Sequence, residues 1–152
     1  MASPTIREAV PADFEQWLPL WEGYNLFYER VGPKAVPIEM TKLTWSRFFD
    51  HYEPMHCLVA ATPEKLVGLV HYLYHRNTTM TGPVCYLQDL FTDAQSRGSG
   101  VGRALIQGVY DRARQAGSTR VYWHTQETNA TARILYDKVA NRSGFIVYRK
   151  DL

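Results

Sequence analysis

The chain has 152 residues and carries 17 Lys and Arg against 15 Asp and Glu, a net charge of +2. That length is expected to form one domain, residues 1–152, with a real core. A charge this small, with no basic run, gives no argument for nucleic acid or a membrane surface as partner, and no apolar stretch approaches a membrane span. The opening "MASPTIREAV" lacks the apolar run of a secretory signal, so a cytoplasmic location is expected. Cys57 and Cys85 sit in apolar, strand-like runs without CxxC or Cys/His spacing. They read as buried thiols in a reducing compartment, and no metal is expected.

In chain order, "TIREAV" reads as a short strand. "PADFEQWLPLWEGYNLFYE" follows as a helix, because Phe14, Trp17, Leu18, Trp21 and Tyr24 recur at helical spacing. "GPKAVP" breaks the chain, and "MTKLTWSRFFDHY" reads as a second helix capped at Thr41. The period then changes. "HCLVAAT" and "KLVGLVHYLYH" are β-branched and aromatic runs joined by a short turn, which predicts a hairpin. "PVCYLQDLFT" is a third strand. "VGRALIQGVYDRARQAG" puts Val101, Leu105, Val109 and Ala113 on one helix face and ends at Gly117. "RVYWHTQ" reads as a strand and "NATARILYDKVA" as a helix with an apolar stripe of Ala132, Leu135, Tyr136 and Val139. "SGFIVYRKDL" is expected to close as a last strand. The order β-α-α-β-β-β-α-β-α-β predicts an α/β (α+β) fold, a mixed and mostly antiparallel sheet with helices on both faces.

The most informative stretch is "FTDAQSRGSGVGRALI". Gly98, Gly100 and Gly102 alternate with other residues just before a helix. Glycine costs backbone entropy, so the pattern argues for a geometric need. A loop of this kind can turn several backbone N–H groups outward at a helix N-terminus, where they suit a phosphate or pyrophosphate. The mononucleotide loop G-x-x-x-x-G-K-[ST] does not fit, and neither does the dinucleotide G-x-G-x-x-G. On spacing alone, an ordinary tight strand-to-helix turn stays open.

The loop Gln95-Ser96-Arg97-Gly98-Ser99-Gly100-Val101-Gly102, together with the Asn129-x6-Tyr136 pattern on the penultimate helix, resembles the GNAT superfamily of N-acetyltransferases. The R-G-x-G-x-G part matches fully. One residue separates Gln95 from Arg97 where the family's loop has two. The combination "LQDLFT…RGSGVG…NATARILY" is similar to the polyamine and yeast histone/polyamine acetyltransferase groups.

The resemblance implies acetyl-CoA as co-substrate and a primary amine as acceptor: a small amine, a polyamine, an amino acid or a lysine side chain. Transfer would be direct, within a ternary complex. The alternative is a non-catalytic acyl-CoA-binding module of the same fold. The amides of Arg97, Gly98, Ser99, Gly100, Val101, Gly102 and Arg103 would wrap the CoA pyrophosphate. The glycines would be needed because a Cβ would block the backbone's approach. Leu90, Phe91 and Thr92 would pair by their backbone with the pantetheine, and one amide there would polarise the acetyl carbonyl. Asn129 would bind the pantetheine region or simply cap its helix.

Tyr136 would protonate the departing thiolate, against the plainer reading of a core tyrosine. Polyamine members of the family carry Glu-Asp where this chain has Gln88-Asp89, which leaves the base open among Asp89, Glu127, His124 and a water chain. Strand alternation places the Gln88 and Asp89 side chains on opposite sheet faces. His71 and His75 read as packed or surface histidines. Tyr24 and Tyr28, with Glu22 and Glu29 nearby, would form an aromatic wall of the acceptor site. The family's habit of dimerising, with the apolar last strand as an edge needing cover, implies a homodimer.

Overall fold

A computed structural model describes residues 3–152. Five strands form one sheet in sequence order: β1 (Thr5–Glu8), β2 (Met55–Ala61), β3 (Leu66–His75), β4 (Val84–Thr92) and β5 (Val121–Tyr122). The first four are antiparallel, and β5 joins β4 in parallel. The central strands are buried on both faces, which is why "HCLVAA" and "LVGLV" read as nearly unbroken apolar runs rather than a polar/apolar alternation. Along β2, Leu58 and Ala60 enter one core while Cys57 and Val59 enter the other.

One face carries α1 (Phe14–Phe27) and α2 (Ile38–Arg47). Trp17, Leu20, Trp21 and Tyr24 of α1 are buried there at spacings of three and four residues, as the helical periodicity requires. Trp17 is fully buried between Trp21 and Trp45, at ring-centroid distances of 5.8 and 4.7 Å. The opposite face carries α3 (Val101–Gln115) and α4 (Ala130–Val139). The predicted stripe Val101, Leu105, Val109 and Ala113 is buried against the sheet, joined by Ile106. Tyr110 ties α3 to α4 by donating its hydroxyl to the Val139 carbonyl at 2.8 Å. No helix among the described residues is long and apolar enough to cross a membrane.

Three expectations fail. Thr41 does not cap α2, which begins at Ile38 after Pro37; Thr41 lies inside the helix, buried, accepting the Trp21 indole N–H at 3.2 Å. The strand expected over residues 120–126 shrinks to Val121–Tyr122, because the chain leaves β4 after that point. The last strand is absent. Residues 143–152 pair with no strand among the described residues, and Phe145, Ile146, Val147 and Tyr148 are 63–90% exposed. Propensity makes such a segment strand-prone, but a ladder also needs a partner edge, and no edge among the described residues meets it.

Candidate active site

Beyond Tyr86 and Tyr122 the β4 and β5 chains are no longer paired. Leu87, Gln88 and Leu90 on one side and Trp123, His124 and Thr125 on the other line a cleft there. Tyr24 and Tyr28 of α1 and Tyr136 of α4 complete it. The two aromatic residues expected at an acceptor site and the tyrosine expected at the reacting sulfur thus meet in one place. Tyr136 packs edge-on against Trp123 at 5.4 Å. Burial, and then the nearby Tyr28, pushes its phenol pKa up, so it enters the cleft as a proton donor.

A β-bulge decides how β4 faces the cleft. His71 pairs with Asp89 and Tyr72 with Leu87, so Gln88 is the extra residue. The simple alternation on which the expectation for Gln88 and Asp89 rests is therefore interrupted at Gln88. The bulge resets the alternation: Leu87 and Leu90 belong to the core under α3, while Asp89 turns with Phe91 toward α1. Gln88 is left exposed on the cleft wall.

Asp89 is only 8% exposed, and its carboxylate bonds to His71 Nδ1 at 2.9 Å. The Trp17 indole donates to His71 Nε2 at 3.0 Å. An indole N–H can only donate, so Nε2 accepts and the proton sits on Nδ1, from where it is donated to Asp89. His71 is therefore no merely packed histidine. It is the middle of a buried Trp17–His71–Asp89 chain. Burial, and then the Asp89 charge, pushes the Tyr24 phenol far up, so Tyr24 stands protonated between the carboxylate and the cleft. His124 instead lies 3.4 Å from the Tyr86 hydroxyl on the exposed side, and Glu127 faces Arg142 at 3.9 Å; neither approaches Asp89 by a hydrogen bond.

The glycine loop follows β4 directly. Gly98 and Gly100 have φ of 78° and 85°, a left-handed backbone that residues with a Cβ rarely adopt. Within the chain itself a Cβ at either would meet nothing within 4 Å. The glycines are thus required by backbone conformation, and they leave open space on the loop's outer side. No backbone N–H between Arg97 and Arg103 has a well-aligned acceptor among the described residues. They stand at the N-terminus of the 15-residue α3, the positive end of its dipole. This set of unpaired donors fits a phosphate-bearing ligand.

Around the loop, Arg97 is tied back, its Nε donating to the Thr92 carbonyl at 3.2 Å with its guanidinium 5.4 Å over the Phe91 ring. Ser99 Oγ donates to the Ser96 carbonyl, and Arg103 is exposed. A Cβ on Gly102 would lie 3.5 Å from Leu135 of α4, so the loop, α4 and the end of β4 converge. Asn129 occupies the N-cap position of α4 without a capping bond; its Nδ2 reaches Thr125 Oγ1 at 3.5 Å.

The family profile described as "Acetyltransferase (GNAT) family" matches residues 17–140. The chain belongs to that family. A D-amino-acid N-acetyltransferase of Saccharomyces cerevisiae is 34% identical over 96% of this chain and 89% of its own. An aminoglycoside N(6')-acetyltransferase of Stenotrophomonas maltophilia is 36% identical over 76% of this chain and 71% of its own. The crystal structure of a ribosomal-protein-alanine N-acetyltransferase from Brucella melitensis superposes with a TM-score of 0.78 at 17% identity, covering 97% and 99% of the two chains. The protein is thus a GNAT acetyltransferase, and its fold is that of the family.

Three site features of this GNAT chain escape a reading of the sequence. His71 reads as a strand residue because its partner Asp89 lies 18 positions away, and Trp17 54 positions away. Trp123 and Thr125 read as strand residues until β5 is seen to part from β4. The bulge at Gln88 has no local marker such as a glycine.

Proposed function

We propose that residues 1–152 are a single catalytic domain that transfers an acetyl group from acetyl-CoA to a primary amine directly, within a ternary complex. The observation that carries this reading is the run of unpaired amides from Arg97 to Arg103, opening beside a cleft that holds a protonated tyrosine and leads to a buried carboxylate. Bound acetyl-CoA supplies the acetyl group as a thioester. The Arg97, Gly98, Ser99, Gly100, Val101, Gly102 and Arg103 amides hold its pyrophosphate, with the α3 dipole adding to the attraction. Backbone groups of Leu90, Phe91 and Thr92 bind its pantetheine arm, and Asn129 steadies the same region.

Tyr24 and Tyr28 wall the acceptor, and the Gln88 amide orients the amine. Asp89, held by His71 Nδ1–H, takes the amine proton through Tyr24 or a water. The Tyr136 hydroxyl gives its proton to the departing thiolate. Burial raises both cysteine thiols, Cys85 to about 12 and Cys57 well above its usual range, so neither offers a thiolate for an acyl-enzyme route. The yeast relative makes D-amino acids the first acceptors to try. A homodimer covers the apolar 143–152 segment. The reading is tested by initial rates varied in both substrates. Intersecting reciprocal plots support a ternary complex; parallel plots contradict direct transfer.

A further inference from the structure

The C-terminal turn of α1 holds a glutamate where such turns ordinarily hold glycine. Glu29 N–H donates to the Leu26 carbonyl and Arg30 N–H to the Asn25 carbonyl, both at 2.9 Å, the paired bonds of a Schellman motif. Glu29 has φ of 58° and is the only non-glycine residue with positive φ among the described residues. The turn folds Arg30 back over the helix end. Its guanidinium carbon lies 5.0 Å from the Tyr28 ring centroid and 5.8 Å from that of Tyr24. Its Nη1 donates to Asn25 Oδ1 at 3.0 Å, and Asn25 is buried and anchored by its own donation to the Trp21 carbonyl at 2.9 Å.

Arg30 has no carboxylate partner among the described residues. A fixed cation with unused N–H donors therefore rides on the two tyrosines that wall the cleft. No carboxylate lines that cleft; Asp89 lies behind Tyr24. A guanidinium presents paired donors that match a carboxylate in two-point geometry. A polyamine would bring further positive charge toward that cation, with no acid on the wall to receive it.

We propose that Arg30 binds a carboxylate of the acceptor, which makes the acceptor an amino acid and not a polyamine. This rests on the reading above that the cleft takes the amine. Arg30 itself does not line the cleft but borders it through Tyr24 and Tyr28. Because the carboxylate and the amine of an α-amino acid share one carbon, a carboxylate held there keeps the amine close to the residues that do.

The test compares kcat/KM for D-amino acids with those of the matching amines lacking the carboxylate, D-alanine against ethylamine and D-phenylalanine against phenethylamine, with spermidine as a third arm. The wild-type protein prefers each amino acid by about tenfold or more, the range of a charge-assisted hydrogen bond. In Arg30→Gln that ratio falls close to one, through a rise in KM for the amino acid, and Arg30→Lys recovers part of it. Arg30 is exposed, and a thermal melt confirms that both variants are folded. A wild-type ratio near one, a preference for spermidine, or an unchanged ratio in Arg30→Gln overturns the inference while leaving amine acetylation standing. Failure to acetylate any acceptor overturns both.

Discussion

Replacing His71 with phenylalanine keeps the ring's volume and removes both of its hydrogen bonds. The Trp17 indole N–H then has no acceptor in a residue with no exposure, which costs about 1–3 kcal/mol. The Asp89 carboxylate, 8% exposed, loses a charge-assisted bond of about 1.5–3 kcal/mol. The sum, about 2.5–6 kcal/mol, is a large part of the roughly 5–15 kcal/mol that holds a domain of this size. The variant should therefore melt well below wild type yet stay folded in the cold, where its activity can be read. His71→Gln restores one donor toward Asp89 and should recover part of both stability and kcat/KM. Urea unfolding and steady-state rates at low temperature measure the two together. A His71→Phe protein with wild-type stability would refute the buried chain. One that is folded with wild-type kcat/KM would refute the role given to Asp89.

Tyr136→Phe keeps the contact with Trp123 and removes only the proton donor. Acetyl-CoA affinity by calorimetry should hold, while kcat falls about 10²–10⁴-fold, the range for a positioned acid; a near-normal kcat would rule the role out. Asp13 accepts from both Nη atoms of Arg7, at 2.7 and 3.0 Å, which holds its carboxyl pKa below the usual range. A depressed folded pKa contributes stability above the unfolded value near 3.9 and loses it as pH falls toward the folded one. Asp13→Asn should thus cost about 1–3 kcal/mol at neutral pH, and the gap from wild type should close below about pH 4 in pH-dependent denaturation. Glu29→Gly relieves a left-handed strain of about 1–2 kcal/mol, offset by about 0.5–1 kcal/mol of glycine entropy. Its melting temperature should rise by a few degrees, and a fall would show that φ of 58° carries no strain.

What the sequence discloses here follows from the range of the interactions. The stripe on α3 is readable because its period and its burial are both local, and the loop glycines because positive φ at Gly98 and Gly100 excludes most other residues. The reason for those glycines is less readable: the space around them is open, and conformation, not crowding inside the chain, requires them. The bulge at Gln88 is a property of the β3–β4 pair, so no pattern along β4 alone reveals which way Asp89 turns. The same holds for the missing last strand. "GFIVY" has strand propensity, but pairing depends on an edge the segment does not meet among the described residues. Tyr24, Tyr28 and Tyr136 are readable as candidates one by one; their convergence depends on β5 parting from β4 after Tyr122.

The most direct test of the account follows free thiol in a mixture of the protein, acetyl-CoA and one acceptor at a time, with the acetylated product identified by mass. Thiol release that depends on the acceptor, matches the acetylated amine mole for mole and disappears in Asp89→Asn is the predicted result. Tight binding of acetyl-CoA with no acceptor-dependent release, across amino acids, small amines, polyamines and lysine peptides, would contradict it.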